Sequence, residues 1–119
     1  MQIGELARAS GTTPRALRYY EEQGLLQPPR NRFGYRLYDV GAVTVVANIR
    51  HLLASGFTVD DIRSLLDFLD QPLPEQFESA PGCSTALAVA ARRLSSLDER
   101  ITALTELRDR LAHRLALTR

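Results

Sequence analysis

Thr13-Pro14-Arg15-Ala16-Leu17-Arg18-Tyr19-Tyr20-Glu21-Glu22-Gln23-Gly24 carries its own start and stop. Thr13 offers a hydroxyl as N-cap, Pro14 suits a first helical position where no N–H is needed, and Gly24 leaves a helix easily through a left-handed turn. At 3.6 residues per turn, Ala16, Leu17 and Tyr20 fall on one face and Arg15, Arg18, Tyr19 and Glu22 on the other. The first face is built to pack. The second presents two guanidinium groups that can straddle phosphates or take a guanine edge bidentately, and a phenol that can donate to a phosphate oxygen. A solvated Arg/Glu face of an amphipathic helix has the same composition, so this stretch alone leaves both readings open.

Upstream, Ile3, Leu6 and Ala7 make the i, i+3, i+4 stripe of a two-turn helix closed by Gly11. Two short helices across a tight turn form the helix-turn-helix layout, in which the second helix enters a DNA major groove, although many helical hairpins share it. Downstream the period changes. Pro28-Pro29 forbids helix, and from Arg32 the residues alternate, with Phe33, Tyr35 and Leu37 on one face and Arg32, Gly34, Arg36 and Tyr38 on the other. Over Leu25 to Tyr38 the pattern predicts a strand pair closed by a loop at Pro29 to Arg32, a small β-wing beside the helices. Its outward face again offers two Arg and a Tyr. Two elements of different period carrying the same phosphate-binding set weaken the solvated-surface alternative.

Asp39 can cap a helix whose stripe is Ala42, Val45, Val46, Ile49, Leu52 and Leu53, ending at Gly56. Thr58 caps another, with Asp60 and Asp61 in its first turn, where the helix dipole favours anions, and Val59, Ile62, Leu65, Leu66 and Leu69 as its apolar positions. His51 reads as structural or phosphate-facing, since no second metal ligand lies at a usable helical offset. Between Asp70 and Gly82 an irregular connector with three prolines separates two structural units, and Phe77 is expected to pin it to a neighbour.

From Ser84 to about Leu117 neither Gly nor Pro occurs, and Leu87, Ala90, Leu94, Leu97, Ile101, Leu104, Arg108, Leu111 and Leu115 keep a 3,4 spacing. A helix of this length runs about 50 Å, too long to bury its seam on a seventy-residue domain, so it calls for a partner. The simplest is a second copy, with Leu87, Leu94, Leu97, Ile101, Leu104, Leu111 and Leu115 as the dimerisation residues. Arg108 at a seam position has to snorkel or meet an acid of the other chain. The alternative is a helix folded back on its own domain.

These stretches resemble the MerR (mercury-resistance-regulator) family of bacterial transcription factors. The residues that carry the resemblance are Ile3 to Ala7, Thr13 to Leu25, Gly34-Tyr35-Arg36-Leu37-Tyr38 and Gly56-Phe57-Thr58, in family order and at family spacing. The resemblance implies an all-α fold with a small β-wing. Residues 1–70 are then a winged helix-turn-helix DNA-binding domain with a second helical pair, 71–83 a Pro-rich connector, and 84–119 a dimerisation helix forming a long antiparallel coiled coil. It implies a homodimer on double-stranded promoter DNA whose elements are too far apart for RNA polymerase, and which the regulator bends and untwists on activation. The DNA-binding set expected is Thr13, Arg15, Arg18 and Tyr19 from the helix, with Arg32, Arg36 and Tyr38 from the wing.

Composition fits this reading and narrows the others. The cations are all arginine, and residues 1–50 hold seven of them against four acids, which suits an anionic partner. No signal peptide and no apolar run of about eighteen residues is present, so a cytoplasmic protein with no membrane partner is expected. No phosphate-cradling glycine loop, no nucleophile with a placed base and no metal-ligand set is found, so neither an enzyme nor a cofactor is expected. A coiled-coil adaptor without DNA affinity is the competing class. Cys83, the single cysteine, is a possible sensor: it precedes the long helix, whose dipole favours a thiolate, and it falls where metal-sensing relatives carry a first ligand. The partner cysteines those relatives place after the helix do not occur in these 119 residues. A metal sensor, a thiol-based oxidant or electrophile sensor and an inert cysteine all remain open for this position.

Overall fold

Helices α1 (Ile3–Ser10), α2 (Pro14–Glu22), α3 (Gly41–Ala54), α4 (Val59–Arg63) and α5 (Ser84–Arg114) follow one another, with a 3₁₀ turn at Leu66–Phe68. The structure is a computed structural model and describes residues 1–27, 37–74, 76–77 and 84–115. The β-wing expected from the alternation falls mostly on residues 28–36, outside the described residues. Among the described residues there is no strand.

The turn between α1 and α2 forms where Gly11 takes φ 73°, a left-handed conformation. A side chain there would also meet Arg50, whose Nη1 lies 2.9 Å from the ideal Cβ position. α2 starts as its sequence dictates. Thr13 is extended, its Oγ1 accepts from the Ala16 N–H at 3.1 Å, and Pro14 occupies the first turn. It is left through Gly24 at φ 75°. Leu6, Ala7, Leu17, Tyr20, Leu25, Val46, Ile49 and Leu52 share one buried core, in which α1 packs against both α2 and α3. Fully burying a leucine contributes about 1.5–3 kcal/mol, and Leu6 and Leu17, both 0% exposed, are the anchors of the pair.

α3 is capped as expected: Asp39 Oδ1 accepts from the Ala42 N–H at 3.1 Å. Thr58 and Asp61 form a capping box at the start of α4. The helix after Thr58 is shorter than its apolar spacing predicts, ending at Arg63 with the 3₁₀ turn beyond. Leu65 leaves helical geometry at φ −116°, ψ 15°. That break keeps Ile62, Leu65 and Leu69 all buried while turning Leu66 outward, 39% exposed. Asn48, a polar residue in the α3 stripe, is buried because its Nδ2 donates to the carbonyls of Leu69 and Gln71 at 2.8 and 2.7 Å. Phe77 does pin the connector, packing edge-on to Phe57 with ring centroids 6.5 Å apart.

α5 has two unlike halves. Near its start Ala86 and Val89 are buried and Leu97 lies over Gly56, so this end is seated on the chain's own domain. Leu94, between them, faces outward, and beyond Leu97 the residues Ile101, Leu104, Leu107, Leu111 and Leu115 are all exposed. The radius of gyration is 19.2 Å, against about 14 Å for a compact domain of this length, because the far end projects from the body. No helix among the described residues is long and apolar enough to cross a membrane.

Candidate nucleic-acid interface

With its packing face fixed against α1 and in the common core, α2 has one orientation available. Leu17 and Tyr20 are 0% and 7% exposed, Ala16 is half-buried, and Arg15, Arg18, Tyr19 and Glu22 lie outward on the opposite side. The Tyr19 ring is 46% exposed and tilted 59° to that of Tyr20. Among the described residues no hydrogen bond or ion pair takes up the guanidinium of Arg15 or Arg18. Thr13, at the exposed N-terminal end of the same helix, has its Oγ1 engaged as the cap. The helix therefore brings Thr13, Arg15, Arg18 and Tyr19 onto one accessible surface, cationic and aromatic.

Not every arginine of the basic N-terminal block faces outward to a partner. Arg50 donates from Nη1 to the Ser10 carbonyl at 2.8 Å and ties α3 to the end of α1. Arg63 and Arg93 are likewise engaged within the chain. Sequence spacing alone does not separate these from Arg15 and Arg18, since the difference lies in which element each faces across the fold.

Of the wing residues, Arg32 and Arg36 lie outside the described residues. Tyr38 is a correction. The alternation puts it on the outward face, but it is 2% exposed, and the neighbouring Leu37, expected on the packing side, is 39% exposed. Its hydroxyl donates to Glu21 Oε1, its N–H donates to the Met1 carbonyl at 2.8 Å, and its own carbonyl accepts from the Met1 amino group. Tyr38 thus ties the N-terminal residue, α2 and the approach to α3 together. The cue for this was the acid at position 21, on the flank of α2 between its packing and outer faces.

Of the expected dimerisation residues, Leu94, Ile101, Leu104, Leu111 and Leu115 are exposed, whereas Leu87 and Leu97 are half-buried, Leu97 against Gly56. Leu107, which the strict 3,4 seam passes over, is 57% exposed beside it. Arg108 is exposed and pairs with its neighbour Asp109 at 3.1 Å. His51 is exposed, with its carbonyl accepting from Ser55. Cys83 lies outside the described residues, and no group of three or more metal-capable side chains occurs among the described ones.

This arrangement agrees with what the chain is similar to. A family model described as MerR HTH family regulatory protein matches residues 1–69, and one described as MerR, DNA binding matches residues 43–114. The HTH-type transcriptional regulator HmrR of Rhizobium leguminosarum bv. viciae is 35% identical over 116 residues, covering 95% of this chain and 82% of that protein. The crystal structure of the transcription regulator PbrR691 from Ralstonia metallidurans CH34, in complex with lead(II), superposes with a TM-score of 0.78 at 31% identity, covering 95% of this chain and 84% of that one. HiNmlR, a MerR family regulator lacking the sensor domain and bound to promoter DNA in its crystal structure, shares the fold at a TM-score of 0.58 and 19% identity, over 98% of this chain and 83% of that one.

Proposed function

The chain belongs to the MerR family of DNA-binding transcriptional regulators, and from that premise we propose that it works as a homodimer that grips promoter DNA with α2 of each protomer and distorts it. The observation that carries this reading is the outer face of α2. Among the described residues nothing engages the guanidinium of Arg15 or Arg18, which stand beside the half-exposed Tyr19 on a helix whose other face is locked in the core. In a major groove each such arginine contributes about 1–3 kcal/mol of base discrimination when bidentate on a guanine, while Tyr19 reaches phosphate. Arg32 and Arg36 are assigned further phosphate contacts on the sequence pattern alone.

The far half of α5 supports the dimer. A lone chain leaves five of the seven expected seam residues in water, and a second copy laid antiparallel covers them, at about 1.5–3 kcal/mol for each leucine fully buried. Dimerisation places two reading helices on one duplex, so the second contact becomes intramolecular and the affinity rises by about 10²–10⁴. Bending a promoter between the two half-sites costs on the order of 1–6 kcal/mol, offset by phosphate contacts, and brings its two elements into phase for RNA polymerase. Such a protein acts in the bacterial cytoplasm, where the promoter is.

Footprinting on the DNA flanking its own gene, with transcription run in parallel, tests the proposal. We expect two protected half-sites related by a dyad and a change in transcript level. Salt-insensitive binding with no footprint would contradict it.

A further inference from the structure

Arg63 sits at the end of α4, yet its side chain reaches the far end of α2. Its Nε and Nη2 donate to the Gln23 carbonyl at 3.1 and 2.9 Å, and Nη2 lies 3.2 Å from Gln23 Oε1. Gln23 is the C-cap of α2, so the guanidinium rests on the carbonyl end of the helix, where its partial negative charge gathers. Nη1 bonds Asp60 on the same face of α4 and holds the fork in place.

The opposite end of α4 is gripped by the long helix. Asp61 closes the capping box with Thr58, its Oδ2 accepting from the Thr58 N–H at 2.9 Å. Arg93 of α5 donates to the same carboxylate from Nε at 2.6 Å and from Nη2 at 3.3 Å, and Nη2 is 3.4 Å from Thr58 Oγ1. Both side chains of this pair are largely covered, at 21% and 15% exposed. Between the two grips lies a five-residue helix anchored by Ile62, which is 0% exposed. The two grips therefore fall on one short helix, within a turn of its buried anchor.

We propose that Arg63 is the positioning residue for the reading helix, and that Arg93, acting through Asp61, sets Arg63, so that the seating of α5 on its domain is transmitted to the C-terminal end of α2. This rests on the reading of α2 as the DNA-contacting helix. It gives the dimerisation helix a route to the reading face that touches no DNA. Arg50 on the Ser10 carbonyl fastens α1 in the same manner but makes no bond to α4 or α5, so it lies outside the route.

The first test needs no DNA. In the free protein the amides of Gln23, Gly24 and Leu25 are bonded to the carbonyls of Tyr19, Glu21 and Tyr20, and their hydrogen exchange reports the end of α2 directly. Arg63→Gln should speed exchange there about tenfold, the loss of a charge-assisted hydrogen bond, and Arg93→Gln about threefold, with Leu6 and Ile49 unchanged. Should either glutamine variant unfold, Arg63→Lys and Arg93→Lys keep the charge but not the fork and should move the same amides in the same direction. Exchange that rises in Arg93→Gln only at Asp61 and Ile62, with Gln23 to Leu25 unmoved, overturns the relay.

The second test is a double-mutant cycle on the footprinted duplex. Acting in series, the double variant should lose no more than about twofold beyond Arg63→Gln alone, whereas losses that multiply mean two independent effects and reject the proposal. A parent protein that binds no duplex defeats the reading of α2 instead, and the exchange result still decides the relay.

Discussion

Among the described residues, the outer face of α2 and the far half of α5 both lie open, and they share their helical spacing but not their chemistry. On α2 the exposed residues are Arg15, Arg18, Tyr19 and Glu22, around a firmly buried opposite face. On the far half of α5 they are Ile101, Leu104, Leu107 and Leu111, on a stretch from 98 to 111 that buries no opposite face. A cationic surface gains by meeting a polyanion, and an apolar one by leaving water. The proposed function gives DNA to the first and a second copy to the second, and each assignment can be broken separately.

The apolar surface should give the largest effect. Leu104→Asp drives a charge into the seam, so we expect a monomer by light scattering and a loss of operator affinity of about 10²-fold or more, because the two reading helices no longer act on one duplex. A folded dimer after this change places the interface elsewhere. On the cationic surface, Arg18→Ala or Arg15→Ala should cost about 1–3 kcal/mol in operator affinity and relax preference at one base position, leaving the dimer intact by the same light scattering. Variants that bind like the parent would show that this face is merely solvated.

Two smaller effects test what lies between these surfaces. Tyr38→Phe removes the hydroxyl bonded to Glu21 in a buried setting, so it should lower stability by about 1 kcal/mol in thermal unfolding. The salt slope of DNA binding should stay as in the parent; a flattened slope would return Tyr38 to the phosphate contacts. The smallest effect concerns acid. The Arg93 hydrogen bonds hold the Asp61 carboxyl below the ordinary aspartate range, chiefly through the side-chain bond, with Thr58 adding to it and burial opposing it. A depressed carboxylate lends stability that is present above about pH 4 and is lost as the pH falls further through its folded value. The melting temperatures of the parent and Asp61→Asn should therefore differ at pH 7 and converge toward pH 3. A constant gap would mean that the carboxylate charge is not what the bridge contributes.

Much of this was legible in the residues. Thr13, Pro14 and Gly24 delimit α2 because capping and left-handed exit are local properties, and the same holds for Asp39 and for Thr58 with Asp61. The outer face of α2 followed from its period alone. What did not follow depends on contacts between elements distant in sequence. Tyr38 sits in an alternating stretch that points it outward, and only Glu21 and Met1, brought to it by the fold, hold it inside. Arg50 counts as part of the basic N-terminal block until the Ser10 carbonyl, forty residues away, comes into view, and nothing local to Arg63 announces its bond to the Gln23 carbonyl, also forty residues off. The 3,4 repeat of α5 is continuous, so nothing in it announces that Val89 meets the chain's own domain while Leu104 meets water.

The measurement closest to the centre of the account is the salt dependence of binding to the footprinted duplex, for the parent and for Arg15→Ala/Arg18→Ala, with light scattering on the same samples. Each phosphate contact contributes roughly 0.9 to the slope of log affinity against log salt. We expect a steep slope and clear sequence preference for the parent, and for the variant a dimer that has lost the preference and most of the affinity. A dimeric variant that retains both would contradict the claim that this protein reads DNA through α2.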